Sequence, residues 1–204
     1  MTTALANDEL VSRTTSGDEI VWPVTVAMVK ANAQIPHNED DQLLAEQIIP
    51  AAVAYVENLG RVALITQTRR VTHDYEFPEN GFETRWPLLT VSSVTYLDDD
   101  YATQTVSSAN YRALTASKPG RICVKTESSW PTPVVERQVA MATYTAGFGT
   151  TPASVPPEWK NPIVLLASYW WEHRESYDAA FVNQSFFDVL KNLVELAGGL
   201  KRYC

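Results

Sequence analysis

Histidine is scarce in this chain: His37, His73 and His173 are the only three in 204 residues. They are scattered, and none belongs to an HExxH pair or to a cysteine–histidine spacing that would hold zinc. Cysteine is scarcer still. Cys123 in a strand-like stretch and Cys204 at the last position do not make the dense framework of a disulfide-stapled domain, so both read as free, reduced thiols. Glycine-rich phosphate loops are missing: there is no GxxxxGK[ST], no GxGxxG after a strand and no GxSxG, and Gly147-x-Gly149 reads as a turn. Long apolar runs are missing too. The longest, at 163–171, falls well short of the ~20 residues that cross a bilayer. Residues 1–20 lack a basic start followed by an apolar core, so the chain reads as made and kept in the cytosol. Positive charge is the last shortage, with 16 Lys and Arg against 24 Asp and Glu, a net charge of −8 and a pI of about 4.9. That balance argues against a partner gripped through its phosphates.

What is present is a clear alternation of helical and β patterning. Residues 1–22 are polar without a hydrophobic period and read as a flexible arm. A short helix at 25–33 is capped by Thr25 and carries Val26, Val29 and Ala33 on one face. A longer amphipathic helix at 39–59 follows Asn38 as a possible cap. Leu44, Ile48, Ala51, Tyr55 and Leu59 recur at helical spacing, and Gly60 is the expected stop. Pro50 inside it predicts a kink or a break.

From about 64 to 146 the pattern turns to β. Val71, His73, Tyr75 and Phe77 alternate with polar residues, as do Val135, Arg137, Val139, Met141 and Thr143. Turn residues at Glu79-Asn80-Gly81, Asp98-Asp99-Asp100, Lys118-Pro119-Gly120 and Gly147-Phe148-Gly149 separate antiparallel strands. After a proline-rich link, a helix at 157–176 buries Ile163, Leu166 and Trp170, with Pro157 or Pro162 near its first turn. A tail at 177–204 holds one more amphipathic helix at about 185–197, ended by Gly198-Gly199. The expected fold class is therefore α+β: a small helical bundle with an inserted antiparallel β module and a C-terminal amphipathic helix, the central domain covering 23–176.

Candidate chemistry is thin. Glu172, His173 and Glu175 lie close in sequence, but neighbours on a helix point to different faces. Asp98-Asp99-Asp100 starts like a calcium loop, yet Thr103 stands where such a loop needs glycine and Ala109 where it needs a bidentate glutamate. No catalytic residue, metal ligand or cofactor is expected. Trp170 and Trp171 are adjacent on a helix, so both cannot face one narrow stripe, and one is a candidate partner contact.

Read in order, the segments resemble the head–tail connector (adaptor) proteins of tailed phages, a group also found in gene transfer agents. The resemblance runs over about 23–176. It rests on Asp40-Asp41-Gln42-Leu43-Leu44 through Ala51-Ala52-Val53-Ala54-Tyr55-Val56-Glu57, then Leu64-Ile65-Thr66-Gln67-Thr68, Trp86-Pro87-Leu88 and Val91-Ser92-Ser93-Val94-Thr95-Tyr96-Leu97-Asp98. Tyr111-Arg112, Trp130-Pro131, Ala142-Thr143-Tyr144-Thr145-Ala146-Gly147-Phe148-Gly149, Val155-Pro156-Pro157 and His173-Arg174-Glu175 follow. Two departures stand out: Pro50 interrupts the long helix, and the turn Asp98-Asp99-Asp100-Tyr101 lacks an expected glycine.

The resemblance implies a non-enzymatic ring of about twelve subunits at the virion neck. That ring would sit on the portal protein, extend the DNA channel without binding DNA specifically, and receive a stopper or tail-completion protein. An acidic chain repeated around a ring suits a lumen that repels phosphates. On this reading Phe186, Phe187, Leu190, Leu193 and Val194, with Lys191, Lys201 and Arg202 nearby, are candidates for docking on the portal or a neighbour. Asp98, Asp99 and Asp100 are candidates for an acidic loop facing the channel or the tail. The competing reading is a ligand- or carbohydrate-binding β module on a helical stalk, whose mark would be a concave aromatic cluster on the sheet. A metal-dependent hydrolase would need ligands converging from Asp98, Asp99 and Asp100 and a histidine.

Overall fold

Proline 50 shapes the helical part of the molecule. The computed structural model describes residues 7–173 and 184–199, and the chain forms two compact units, one from Met1–Asp18 with Thr66–Phe148 and one from Glu19–Ile65 with Gly149–Cys204. In the second, α1 (Val26–Ala33), α2 (Asp41–Leu43), a π-helical turn (Leu44–Ile48), α3 (Ile49–Gly60), a 3-10 turn (Pro152–Ser154), α4 (Pro157–Glu172) and α5 (Gln184–Ala197) succeed one another. Pro50 has no N–H, and its ring would collide with the carbonyl four residues earlier. The helix neither breaks nor stops there. It widens into the π turn, in which the Ile49 N–H reaches the Leu44 carbonyl, a five-residue step that relieves the crowding.

That extra residue moves the buried face. The spacing Leu44, Ile48, Ala51, Tyr55, Leu59 starts correctly, but beyond the π turn each expected core position is displaced by one. Ile49, Ala52, Val53 and Val56 are at most 2% exposed, while Tyr55 is 37% exposed. Gly60 is not the stop either. Arg61 holds the left-handed cap conformation at φ 48°, and Gly60 serves a close approach: a Cβ there would sit 2.7 Å from the Trp159 ring and 3.1 Å from Val194. Elsewhere the caps follow the sequence. Thr25 accepts the Met28 N–H at the start of α1, Pro157 opens α4, and Gly198 and Gly199 return hydrogen bonds to α5. Helices α1, α3 and α5 pack on α4 or on one another around Val29, Val56, Trp159, Ile163, Leu166, Leu190 and Val194.

The β unit is antiparallel throughout. Strands β1 (Asn7–Arg13), β4 (Gln67–His73), β6 (Leu88–Leu97), β7 (Thr103–Thr105) and β10 (Ala140–Ala146) form one sheet in the order β1-β4-β10-β6-β7. A second sheet, β5-β9-β8, joins β5 (Phe82–Thr84), β8 (Tyr111–Leu114) and β9 (Gly120–Val124). Two two-residue strands, β2 (Thr15–Ser16) and β3 (Glu19–Ile20), follow β1. Between the sheets lie Val71, Phe82, Val94, Ile122, Ala142 and Tyr144, all fully buried, the two-sheet arrangement that period-2 patterning favours. The class is α+β.

Two differences from the sequence reading stand out in this unit. Residues 7–13 are not an unstructured arm but an edge strand paired with β4 from Asn7↔Thr72 to Arg13↔Gln67. Strand β10 begins at Ala140, and its inward face is Ala140, Ala142, Tyr144 and Ala146, the phase opposite to the expected Met141 and Thr143. Val135, expected on that strand, is 79% exposed in the preceding loop. Small alanines mark the covered face of a central strand because neighbouring layers come close there, and alternation of larger residues does not reveal them.

Gly60→Ala tests the packing reading of α3. The substitution raises intrinsic helix propensity by about 1 kcal/mol, yet overpacking against Trp159 is expected to give a net loss of about 1–2 kcal/mol. A lower urea midpoint at unchanged slope is the expected result, and a raised midpoint would show that Trp159 yields freely.

Candidate functional site

Helix α5 carries the stripe expected to dock on another protein, and much of that stripe is already used within the chain. Phe186 stacks on Tyr169 at 4.2 Å between ring centroids. Phe187 meets the edge of the same ring at 6.0 Å and lies 6.1 Å from Tyr55. Leu190 and Val194 are each 1% exposed, so as a free docking surface these two are corrected: they close the core of the helical unit. Phe186, Phe187 and Leu193 are half-buried. The outward side of α5 presents Val189 at 55% and Leu196 at 74% exposure, with exposed Lys191 between them. Lys201 and Arg202 lie outside the described residues. The adjacent tryptophans are both half-buried: Trp170 meets Tyr55 edge-on at 6.2 Å, and the Trp171 indole N–H donates to Asp40 at 3.1 Å.

Asp98, Asp99 and Asp100 form the hairpin between β6 and β7. Asp98 organises it: one carboxylate oxygen accepts the N–H groups of Asp100 at 3.0 Å and Ala102 at 2.9 Å, and the other accepts the Gln104 side-chain amide at 2.7 Å. The Gln104 amide first, then the Ala102 and Asp100 N–H groups, hold the carboxyl below the usual value of 3.8. Asp99 and Asp100 are exposed. Tyr101 occupies the left-handed position at φ 60° in the turn where a glycine was expected, and the Asp98 bonds hold that turn without one.

A polar cluster that the sequence did not announce lies inside the β unit. Arg69, on the inward face of β4, is 5% exposed. Its Nε donates to both oxygens of Asp8 at 3.0 Å, and a terminal nitrogen donates to the Asp8 backbone carbonyl at 3.0 Å. Arg85 Nε donates to Asp8 at 2.7 Å, and the Tyr144 hydroxyl donates to it at 2.8 Å while accepting the Arg85 backbone N–H at 3.1 Å. Burial acts to raise the Asp8 pKa, but the bonds from Arg69, Arg85 and Tyr144 outweigh it and hold the group below 3.8. Burial, and then the charge of Asp8, push the Tyr144 phenol up. The only sequence signal was an arginine on the inward phase of a strand, which marks a buried partner without naming it.

Nothing among the described residues gathers three metal-ligating side chains. His73 packs edge-on against Phe82 at 5.4 Å, and burial lowers its pKa from 6.5. His173 stacks on Tyr169 at 4.2 Å, and His37 lies beside Trp171. Phe77 stacks on Trp130 at 4.8 Å and meets Phe82 edge-on. Phe77 is 7% exposed and Phe82 fully buried, while Trp130 and the Tyr111 ring stacked on it are half-buried. No helix among the described residues is long and apolar enough to cross a membrane.

The geometry thus defines an α+β chain of a helical unit and a two-sheet β unit, whose distinctive features are packed clusters and exposed acidic and apolar patches. Chains of the same fold occur in gene transfer agent particles. One, in the neck of an empty particle computed with C6 symmetry, matches with a TM-score of 0.68 and 19% identity over 93% of this chain and 94% of that one. One in the virion of a native particle matches with 0.67 and 19% over 92% and 94%, and one in a native neck computed with C12 symmetry with 0.61 and 19% over 90% and 94%. No protein-family profile and no curated protein matches the chain.

Two substitutions on α5 separate core from surface. Leu190→Ala is expected to cost about 2–4 kcal/mol of stability, while Leu196→Ala should stay within about 0.5 kcal/mol, both read by urea unfolding. Equal effects would contradict the orientation of the helix. Asp8 supplies an acid limb. Its folded pKa lies below its unfolded value, so its contribution is present above pH 3.8 and is lost as pH falls through the lowered value. Asp8→Asn should be less stable than the parent at pH 7, by on the order of 3 kcal/mol. The gap between the two should narrow in thermal melts taken towards pH 3, and a gap independent of pH would contradict the network.

Proposed function

We propose that the chain is a structural head–tail connector (adaptor) subunit of a phage-like particle. About twelve copies form a ring on the portal vertex, extend the DNA channel and give a stopper or tail-completion protein its platform, and the chain catalyses nothing. The observation that carries this reading is the shared fold with neck chains, which covers 93% of this chain and 94% of its counterpart and so spans both units. C6 and C12 symmetry in those necks fits a subunit that meets its neighbours by rotation through two different patches. The charge of −8 fits a lumen past which DNA moves without sticking. In this reading Asp99 and Asp100, exposed at the β6–β7 turn, face the channel or the tail. The outer side of α5 with Val189 and Leu196 faces the portal or a neighbour, and Phe186, Phe187 and Leu193 hold that helix in place.

Electron microscopy of lysates from a producer carrying an early stop codon in this gene tests the proposal. Separate heads and tails, or heads that have lost their DNA, are the expected outcome. Complete particles in normal yield would sink it.

A further inference from the structure

Strand β1 is held by its backbone ladder with β4 and by the bonds of Asp8. None of its seven side chains is buried, and its apolar residues Leu10 and Val11 are 39% and 48% exposed. An irregularity between Leu10 and Ser12 weakens its ladder with β4. When such a strand leaves its place, the apolar surface it gives up is that of the partly covered Leu10 and Val11. Leaving its place empty carries an electrostatic cost. The Arg69 and Arg85 side chains, 7% and 12% exposed, would lose the carboxylate they share. The socket is built by β4, β10 and the segment before β6, and the bond from the Arg85 N–H to the Tyr144 hydroxyl does not involve β1, so the site persists when the strand is gone. It therefore selects an antiparallel strand with an aspartate at one register. After β1, residues 15–20 are all exposed and 21–22 half-buried. Fully extended, residues 15–22 would span about 26 Å.

We propose that Asn7–Arg13 is an exchange strand: in the assembled ring, β1 of one copy lies on the β4 edge of the next, with its Asp8 in that neighbour's Arg69–Arg85–Tyr144 socket. The proposal rests on the ring assembly proposed above. Exchange reproduces every contact seen within one chain, so it costs little in contact energy, and the high local concentration of neighbours in a ring favours it. It also links the copies head to tail, as a closed ring requires.

Cross-linking inside isolated particles tests this. In a chain with Cys123→Ser and Cys204→Ser, the pair Glu9→Cys and Arg70→Cys joins facing, exposed positions of β1 and β4 outside the Asp8 socket. Ser12→Cys with Thr68→Cys, also facing positions, is the second pair should the first impair folding. After mild oxidation, a non-reducing gel should show a ladder from dimer upward that holds most of the chain and collapses on reduction. Cross-linked monomer alone, or no cross-link, with the chain present in the particles overturns the exchange and leaves the connector reading standing. Absence of the chain from particles defeats the connector reading and the exchange with it.

Discussion

Gln67 and Ala146 face each other across the antiparallel pair β4–β10, and the rest of the architecture depends on that register. It brings the first and last strand residues of the inserted segment together. Residues 19–65 and 149–204 can then form one bundle although more than eighty residues separate them. Around the same pair the sheet grows outward in both directions, to β1 on the β4 side and to β6 and β7 on the other. Tyr144, in the middle of β10, is fully buried and bonds to Asp8 and Arg85, so this pair also anchors the cluster that docks β1.

The two units differ in character. The helical unit closes on its own aromatic residues, with Tyr169 serving Phe186, Phe187 and His173 at once. This satisfies the stripe that a free C-terminal helix would otherwise expose, and leaves a smaller outward patch around Val189 and Leu196. The β unit exposes Asp99 and Asp100 in its β6–β7 hairpin and holds a half-buried carboxylate, Asp8, between Arg69 and Arg85. Buried polar networks of the latter kind contribute little net stability compared with apolar packing, but they specify which strand sits where.

Element types were legible in the residues because periodicity of 3.6 and of 2 is written in side chains that meet water on one side. Thr25, Pro157 and Gly198-Gly199 marked helix ends by the chemistry of caps, and apolar spacing gave helices at 157–176 and about 185–197, where the described residues hold Pro157–Glu172 and Gln184–Ala197. Phase was harder. Pro50 announced a disturbance, but whether the backbone kinks, breaks or inserts a π turn is decided by packing beyond it, and the insertion moved the core from Tyr55 to Val56. On β10 the covered alanines carried no contrast. Strand β1 was illegible for a related reason: the side-chain partners of its Asp8, Arg69, Arg85 and Tyr144, lie 61, 77 and 136 residues away, and a polar segment looks like a tail until those partners are in view. The same remoteness hid the socket, the most specific polar site in the β unit.

The most direct test of the account is a cryo-electron reconstruction of the neck in particles from a producer of this chain. The account predicts a ring between portal and tail in which each rotational repeat holds one copy of both units, with the acidic hairpin and the outer side of α5 at protein or channel surfaces. A neck whose density has no place for this α+β chain, or particles that do not contain it, would contradict the account.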